Sequence, residues 1–227
     1  MNQVATELRS LLGGPAPWGI LSDWQSSGRL ARDLPEIAAL FGVPQNPLHH
    51  PEIDTGRHSL LVLRQACGLS ADPALRYAAL VHDLGKALTP PAEWPRHLGH
   101  EESGLAPISA LGARLNLPAD WTDLALAACR WHLLVHKAAE LRPATVHDLL
   151  AALSHDWQDE ARLEKLLLVC QADARGRLGL EQRPYPQADL LRRLYVVAAP
   201  AGGGNTPAQS RERRIAAIRT TAKAMTQ

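Results

Sequence analysis

A short apolar helix that ends in a histidine–aspartate pair is the feature that most constrains this chain. Residues 73–81 are apolar on almost every side, which is typical of a helix in the centre of a protein core. His82 and Asp83 follow that helix directly. A buried carboxylate without a partner is costly, and a bound cation would remove the cost. The pair therefore indicates a metal site, although a simple capping role stays open on these two residues alone.

Helical periodicity dominates the rest of the 227 residues, and strand and hairpin signals are nearly absent. We therefore predict an all-α fold. The predicted parts are an N-terminal helical segment over 1–48, a central domain over 49–199, and a flexible linker with a terminal helix over 200–227. Helices are predicted near residues 4–12, 19–28, 30–41, 57–68, 73–84, 100–115, 119–136, 144–153, 159–175, 187–198 and 207–225.

Charge and cysteine content exclude several classes of protein. The 24 basic and 23 acidic side chains nearly cancel, so no global charge draws the chain to nucleic acid or to a membrane. The three cysteines lie scattered in apolar helical patterns, which is typical of reduced thiols in a cytoplasmic protein. We find no signal peptide and no run of about 20 apolar residues that would span a membrane. The expected location is the cytoplasm.

Three further helices each turn a metal-binding residue type toward their apolar face. One such residue alone is usually a hydrogen-bonded core residue, but several together favour a metal. A histidine and carboxylate set of this kind suits Mn, Ni, Fe, Co or Mg, and the sequence does not choose among them. These residues are His58 on helix 57–68, His132 on helix 119–136 and Asp173 on helix 159–175.

A second metal position is suggested by histidines between these helices. His97 and His100 lie at a loop and the following helix start, where they could join His132. No His-Glu-x-x-His helix, cysteine zinc pattern, Gly-x-Ser-x-Gly elbow or Walker-type loop is present. Metal-activated water is then the nucleophile most consistent with the residues, and one or two metal ions are expected.

Three cations near the ligand residues suit a phosphate group. Lys86 follows the His-Asp pair, and Arg175 and Arg177 follow Asp173. Cations beside a metal-bound carboxylate are well placed to hold a phosphate. The alternative, favourable charge at a helix C-terminus, stays open for the two arginines. We assign Asp83 and Lys86 to catalysis, and Lys86, Arg175 and Arg177 to substrate binding.

Several longer segments carry a family resemblance. They are HHPEIDTGRHSLLVL (49–63), ALVHDLGKALTPPAEWPRHLGH (79–100) and QADARGRLGLEQRPYPQ (171–187). The chain resembles the HD-domain superfamily of metal-dependent phosphohydrolases, and most closely the HD domain of bacterial multifunctional CCA-adding tRNA nucleotidyltransferases. The resemblance implies an HD-domain helical bundle with N- and C-terminal helical appendages. It implies the metal ligands His58, His82, Asp83 and Asp173.

The resemblance also has a gap. Those enzymes carry an N-terminal catalytic head with a Gly-Ser pair and an Asp-x-Asp motif, and this chain contains neither. Residues 1–28 are too short to hold such a head, so we expect an HD domain that does not add CCA by itself. A looser similarity to HD hydrolases that cleave diadenosine tetraphosphate implies two additional ligands, His100 and His132.

The resemblance implies phosphatase, 2′-nucleotidase or 2′,3′-cyclic phosphodiesterase activity on a nucleotide or RNA end. Two alternatives stay open. The first is a hydrolase of another nucleotide, such as a dinucleoside polyphosphate. The second is a module that binds tRNA or a partner enzyme while its metal serves the structure. No membrane partner is expected, and a homodimer through the 18–48 region stays open.

Overall fold

The computed structural model describes residues 3–225, and over these residues the protein is helical. No β-strand occurs in that range, where a single isolated bridge joins Pro44 and Asp54. The prediction of an all-α fold is therefore confirmed.

The chain forms two compact units. The first contains the residues up to His132 together with Leu168–Arg183, and the second contains Leu133–Leu167 and the residues from Pro184 onward. The division into 1–48, 49–199 and 200–227 stays a prediction.

The first unit holds most of the helices and all of the predicted metal ligands. Two of its helices, α9 and α11, also supply residues to the second unit. The helices are α1 (Gln3–Gly13), α2 (Pro17–Ser26), α3 (Arg29–Asp33), α4 (Pro35–Ala38), α5 (Thr55–Leu69), α6 (Pro73–Val81), α7 (His100–Ser103), α8 (Leu105–Arg114), α9 (Ala119–His136) and, after α10 of the second unit, α11 (Glu160–Arg175).

Helix α6 is the central element of the first unit, as its apolar sequence predicts. Every residue from Ala74 to Val81 is buried. Asp72 caps the helix by accepting a hydrogen bond from the Ala74 N–H, and Pro73 occupies the first helical position, where its missing N–H costs nothing. Arg76 is the one charged residue of this helix, and it donates to the Leu12 and Gly14 carbonyls. The central helix thus carries no unsatisfied charge into the core.

Two predicted helices are broken in the structure. The predicted helix 30–41 divides at Leu34 because the following Pro35 disfavours helical backbone at the residue before it, and Leu34 has φ −136° and ψ 61°. The predicted helix 100–115 divides at Gly104, which ends α7 and precedes α8. The predicted helix 73–84 ends at Val81, and a 3₁₀ helix follows over Leu84–Leu88.

The second unit contains α10 (Pro143–Leu153), part of α11, α12 (Pro186–Ala198) and α13 (Pro207–Ala224). The terminal helix α13 packs on α10 and α12 and buries Ile218 fully. Thr206 caps it by accepting from the Gln209 N–H. The helix α13 is therefore docked on its neighbours within the second unit.

No helix in the described range is long and apolar enough to cross a membrane.

Candidate metal centre

Six histidine and aspartate residues from five parts of the first unit meet in one buried place. Each of these residues is at most 6% exposed. The predicted ligands therefore converge, although they are spread over more than a hundred positions of sequence. They are His58 of α5, His82 and Asp83 after α6, His100 of α7, His132 of α9 and Asp173 of α11.

The first group consists of His58, His82, Asp83 and Asp173. Its two histidines face one oxygen of each of the two aspartates. His58 Nε2 lies 3.1 Å from Asp173 Oδ1, and His82 Nε2 lies 3.3 Å from Asp83 Oδ2. The crossed pairs, His58 with Asp83 and His82 with Asp173, are each separated by 3.8 Å. All four ligands implied by the family resemblance are thus within reach of a single cation.

A second group, which consists of His100, His132 and again Asp83, lies at the other oxygen of Asp83. Asp83 Oδ1 is 3.2 Å from His100 Nε2 and 3.7 Å from His132 Nε2. The two Nε2 atoms of His100 and His132 are 3.3 Å apart. The carboxylate of Asp83 therefore presents one oxygen to each group, as a carboxylate that bridges two metal ions does.

Backbone carbonyls fix which nitrogen of each ring faces the centre. His82 Nδ1 lies 2.9 Å from the Ala79 carbonyl, His100 Nδ1 lies 2.7 Å from the His97 carbonyl, and His132 Nδ1 lies 2.8 Å from the Cys129 carbonyl. A carbonyl oxygen only accepts, so each Nδ1 carries the hydrogen. In the neutral rings the Nε2 lone pairs then point to the centre, which is the form that binds a metal.

These atoms fit a divalent cation. His82 Nε2 and Asp83 Oδ1 are buried without a hydrogen-bond partner in the described part of the chain. Two unprotonated Nε2 atoms at 3.3 Å, as in His100 and His132, cannot hydrogen-bond to each other. A cation at each group would give these lone pairs and carboxylate oxygens a partner.

The pKa values show that the site favours positive charge at His82 but not at His132. Burial lowers the pKa of His82, but Asp83 and Asp173 outweigh burial and raise it to about 9. Burial raises the pKa of Asp83, but His82 and Lys86 hold it well below its usual range, so this group is ionised. Burial lowers the pKa of His132 to about 3, so its ring is neutral.

The three predicted phosphate-binding cations have different positions. Lys86 Nζ lies 2.7 Å from Asp83 Oδ2 and donates to Gln45 Oε1 at 2.6 Å, so it belongs to the centre. Arg177 Nη2 lies 3.8 Å from Asp173 Oδ1. Arg175 instead donates to the Arg183 carbonyl at 3.0 Å. The structure thus brings Lys86 and Arg177 to the ligands, but not Arg175.

His97 is also held away from the second group. Its Nδ1 lies 2.9 Å from Thr89 Oγ1 and its Nε2 lies 2.9 Å from the Pro44 carbonyl. Both ring nitrogens are therefore engaged elsewhere, and the expectation that His97 completes a metal position is wrong.

One buried carboxylate at the site was missed by the sequence reasoning. Glu52 lies before α5, is 3% exposed, and pairs with His50 and His58. Burial raises its pKa, but hydrogen bonds from these two histidines outweigh burial and leave the pKa well below its usual range. Glu52 lies in an irregular segment, so no helical periodicity marked it as inward-facing.

Comparison with known proteins agrees with the geometry. The chain is 51% identical over 197 residues to the Multifunctional CCA protein of Methylococcus capsulatus, which covers 87% of this chain and 46% of the relative. The proteins of the same name from Nitrosococcus oceani and Alkalilimnicola ehrlichii are 46% and 53% identical, and the matches cover 96% and 87% of this chain. The chain spans about half the length of these curated relatives, namely 56% and 48% for the last two.

The HD domain family matches residues 55–178, more than half of the chain. This range contains five helices or helix ends that supply the ligand groups described above. The chain belongs to the HD-domain family.

Proposed function

We propose that this protein is a metal-dependent phosphohydrolase that removes a 2′-phosphate, a 2′,3′-cyclic phosphate or a terminal phosphate from a nucleotide or RNA end. The observation that carries the proposal is the convergence of His58, His82, Asp83 and Asp173, with Lys86 and Arg177 beside them. HD domains bind divalent metals, and the donor set here suits Mn, Ni, Fe, Co or Mg.

The four ligand residues would hold the cation, which when bound supplies an activated water nucleophile and stabilises charge on a phosphoryl oxygen. Lys86 Nζ, 2.7 Å from Asp83, keeps a positive charge beside that carboxylate. Arg177 Nη2 lies 3.8 Å from Asp173 Oδ1, and its side chain is 18% exposed. We assign these two cations to orienting the phosphate group, because a guanidinium binds phosphate oxygens in a bidentate manner and a lysine ammonium binds them as a point charge.

The relatives support an RNA-end substrate within this class. Their name refers to CCA, and the aligned region of each covers most of this chain. The net charge of +1 favours a small substrate or a chain end over a long nucleic-acid backbone, whose binding depends on many Lys and Arg contacts. The unpaired cysteines of the described residues, two of them buried, support a cytoplasmic location.

Hydrolysis of a nucleotide panel tests the proposal. We expect phosphate release from 2′-nucleotides or ring opening of 2′,3′-cyclic nucleotides in the presence of Mn, Ni, Co or Mg, measured by chromatography. His82→Ala removes a ligand of the first group and should reduce the rate to background. Activity that is unchanged in His82→Ala would reject the proposal. Salt-dependent tRNA binding without turnover would favour the alternative of a binding module.

A second candidate is hydrolysis of a dinucleoside polyphosphate, and the two-sided position of Asp83 favours it. Two metal ions can clamp the attacking and leaving oxygens of such a substrate. Elemental analysis should then give two metal ions per chain, falling to one in His132→Ala. A single metal ion in both proteins would leave only the first candidate.

Metal binding should also stabilise the fold. A ligand that binds only the native state adds about 2.7 kcal/mol at 100 times its Kd. We expect Mn²⁺ at this excess to raise the midpoint of thermal unfolding by several degrees, measured by calorimetry. The same addition to Asp173→Asn, which lacks a ligand charge, should produce a much smaller shift. Equal shifts in both proteins would show that Mn²⁺ acts elsewhere on the surface.

A further inference from the structure

Glu52 is a buried carboxylate that no ligand motif includes. Its Oε1 lies 2.9 Å from His58 Nδ1 and 3.0 Å from His50 Nδ1. Its Oε2 accepts from the Leu178 N–H at 3.4 Å. The His50 ring packs edge-on against the His58 ring, with centroids 4.7 Å apart. One carboxylate thus joins the segment before α5, the first histidine ligand and the turn after α11.

The residues His50, Glu52 and His58 are close enough to hold a cation of their own. Such a site would compete with the first group of ligands, because it needs the lone pair of His58 Nδ1. His58 Nε2 already faces Asp173 at 3.1 Å, and a neutral imidazole has only one unprotonated nitrogen. A hydrogen bond from His50 Nδ1–H to Glu52 and the close contact of Glu52 with His58 Nδ1 explain the same distances without a metal.

We propose that Glu52 is a positioning residue that holds His58 with its hydrogen on Nδ1 and its Nε2 lone pair toward Asp173. The inference rests on the metal site of the proposed function, but not on the hydrolysis reaction. An anionic acceptor forms a stronger hydrogen bond than a carbonyl and makes the opposite nitrogen a better ligand. His50 and the Leu178 N–H in turn hold the Glu52 carboxylate in place.

A competing explanation is present in the same structure. The Gly176 carbonyl also lies 3.1 Å from His58 Nδ1 and accepts from it. If that carbonyl suffices to orient the ring, the charge of Glu52 is dispensable. Glu52→Gln separates the two explanations, because glutamine has nearly the same shape and lacks the charge.

Calorimetric titration of the full chain with Co²⁺ is the first test. We expect Glu52→Gln to bind Co²⁺ about 10- to 100-fold more weakly than the wild-type protein, the range found for such supporting carboxylates. Glu36→Gln is the matched control, since Glu36 pairs with Arg114 in the same unit at 2.7 Å and should leave the Kd unchanged. A Kd for Glu52→Gln within twofold of wild type would overturn the proposal.

Long-range proton–nitrogen NMR spectra of the Zn²⁺-loaded wild-type protein are the second test and need no variant. We expect His58 to carry its hydrogen on Nδ1. A His58 ring with hydrogen on Nε2 would overturn the proposal even if Glu52→Gln does not fold.

The positioning role of Glu52 and the proposed hydrolysis can be refuted separately. A protein that binds Co²⁺ through a Glu52-dependent His58 but hydrolyses nothing refutes only the phosphohydrolase. A protein that hydrolyses nucleotides, but whose metal affinity is unchanged in Glu52→Gln, refutes only the positioning role.

Discussion

Asp83→Asn is expected to abolish metal binding at both ligand groups and to reduce phosphohydrolase activity by about 1,000-fold or more. Asp83 presents Oδ2 to His82 and Oδ1 to His100, so one substitution removes a charged ligand atom from each group. A metal ion contributes several kcal/mol of transition-state stabilisation, and each 1.4 kcal/mol changes a rate tenfold. Elemental analysis and the nucleotide panel measure the two losses.

The same substitution also leaves a cation without its partner. Lys86 Nζ lies 2.7 Å from Asp83 Oδ2, and its side chain is 9% exposed. Breaking a buried pair by removing one partner costs about 3–5 kcal/mol. Circular dichroism must therefore show that Asp83→Asn is folded before its activity is compared.

Asp33→Asn is the matched control for Asp83→Asn. Asp33 pairs with Arg29 at 2.9 Å and with Arg32 at 2.8 Å in the first unit, away from the ligands. It should keep wild-type metal content and activity. A folded Asp83→Asn protein that retains two metal ions and turnover would contradict both the bridging position and the proposed reaction.

The inward position of the candidate ligands was predictable because each lies on a regular helix or directly after one. The apolar face of α5 marked His58 as inward-facing, and the all-apolar α6 did the same for His82 and Asp83. Periodicity assigns each residue to a face without any knowledge of the other helices. A shared burial requirement then suffices to infer that such residues meet.

The neighbours of the ligands were not predictable in this way. Glu52 and Gln45 lie in the irregular segment between α4 and α5, where backbone direction depends on tertiary contacts. Gln45 accepts from Lys86 at 2.6 Å across 41 positions of sequence. Arg175 lies only two residues from Asp173, yet its guanidinium turns to the Arg183 carbonyl. Which partner a long side chain contacts depends on distances in the folded protein, and a sequence pattern does not give these distances.

The end of a helix could be predicted from local sequence where a proline follows it, but not where packing against another helix determines the residue. Pro35 is sufficient to predict the break at Leu34, since the restriction on the residue before proline is local. The glycine at position 104 has a different role. A Cβ on Gly104 would lie 2.6 Å from Cys129 Sγ, so the glycine is needed for close packing against α9. Close packing between segments that are distant in sequence cannot be predicted from the presence of a glycine alone.

Gly85→Ala is the second substitution with a large expected effect. A Cβ at Gly85 would lie 2.0 Å from the His100 carbonyl oxygen and 2.7 Å from the Gly104 nitrogen. Both obstacles are backbone atoms, so the start of α7 would have to move. Overpacking of this kind costs about 1–3 kcal/mol and sometimes more. The displaced residue, His100, is a candidate ligand of the second group, so we expect lower stability together with weaker metal binding at that group.

Chemical denaturation and elemental analysis measure these two effects of Gly85→Ala, and Gly68→Ala is the matched control. Gly68 lies within α5, and a Cβ there would meet no atom within 4 Å. Because alanine favours helix over glycine by about 1 kcal/mol, Gly68→Ala should unfold at the same or a higher denaturant concentration. A Gly85→Ala protein with the wild-type midpoint and two metal ions would show that α7 can shift freely without disturbing His100. The close approach of the two backbones would then have no part in holding the second group.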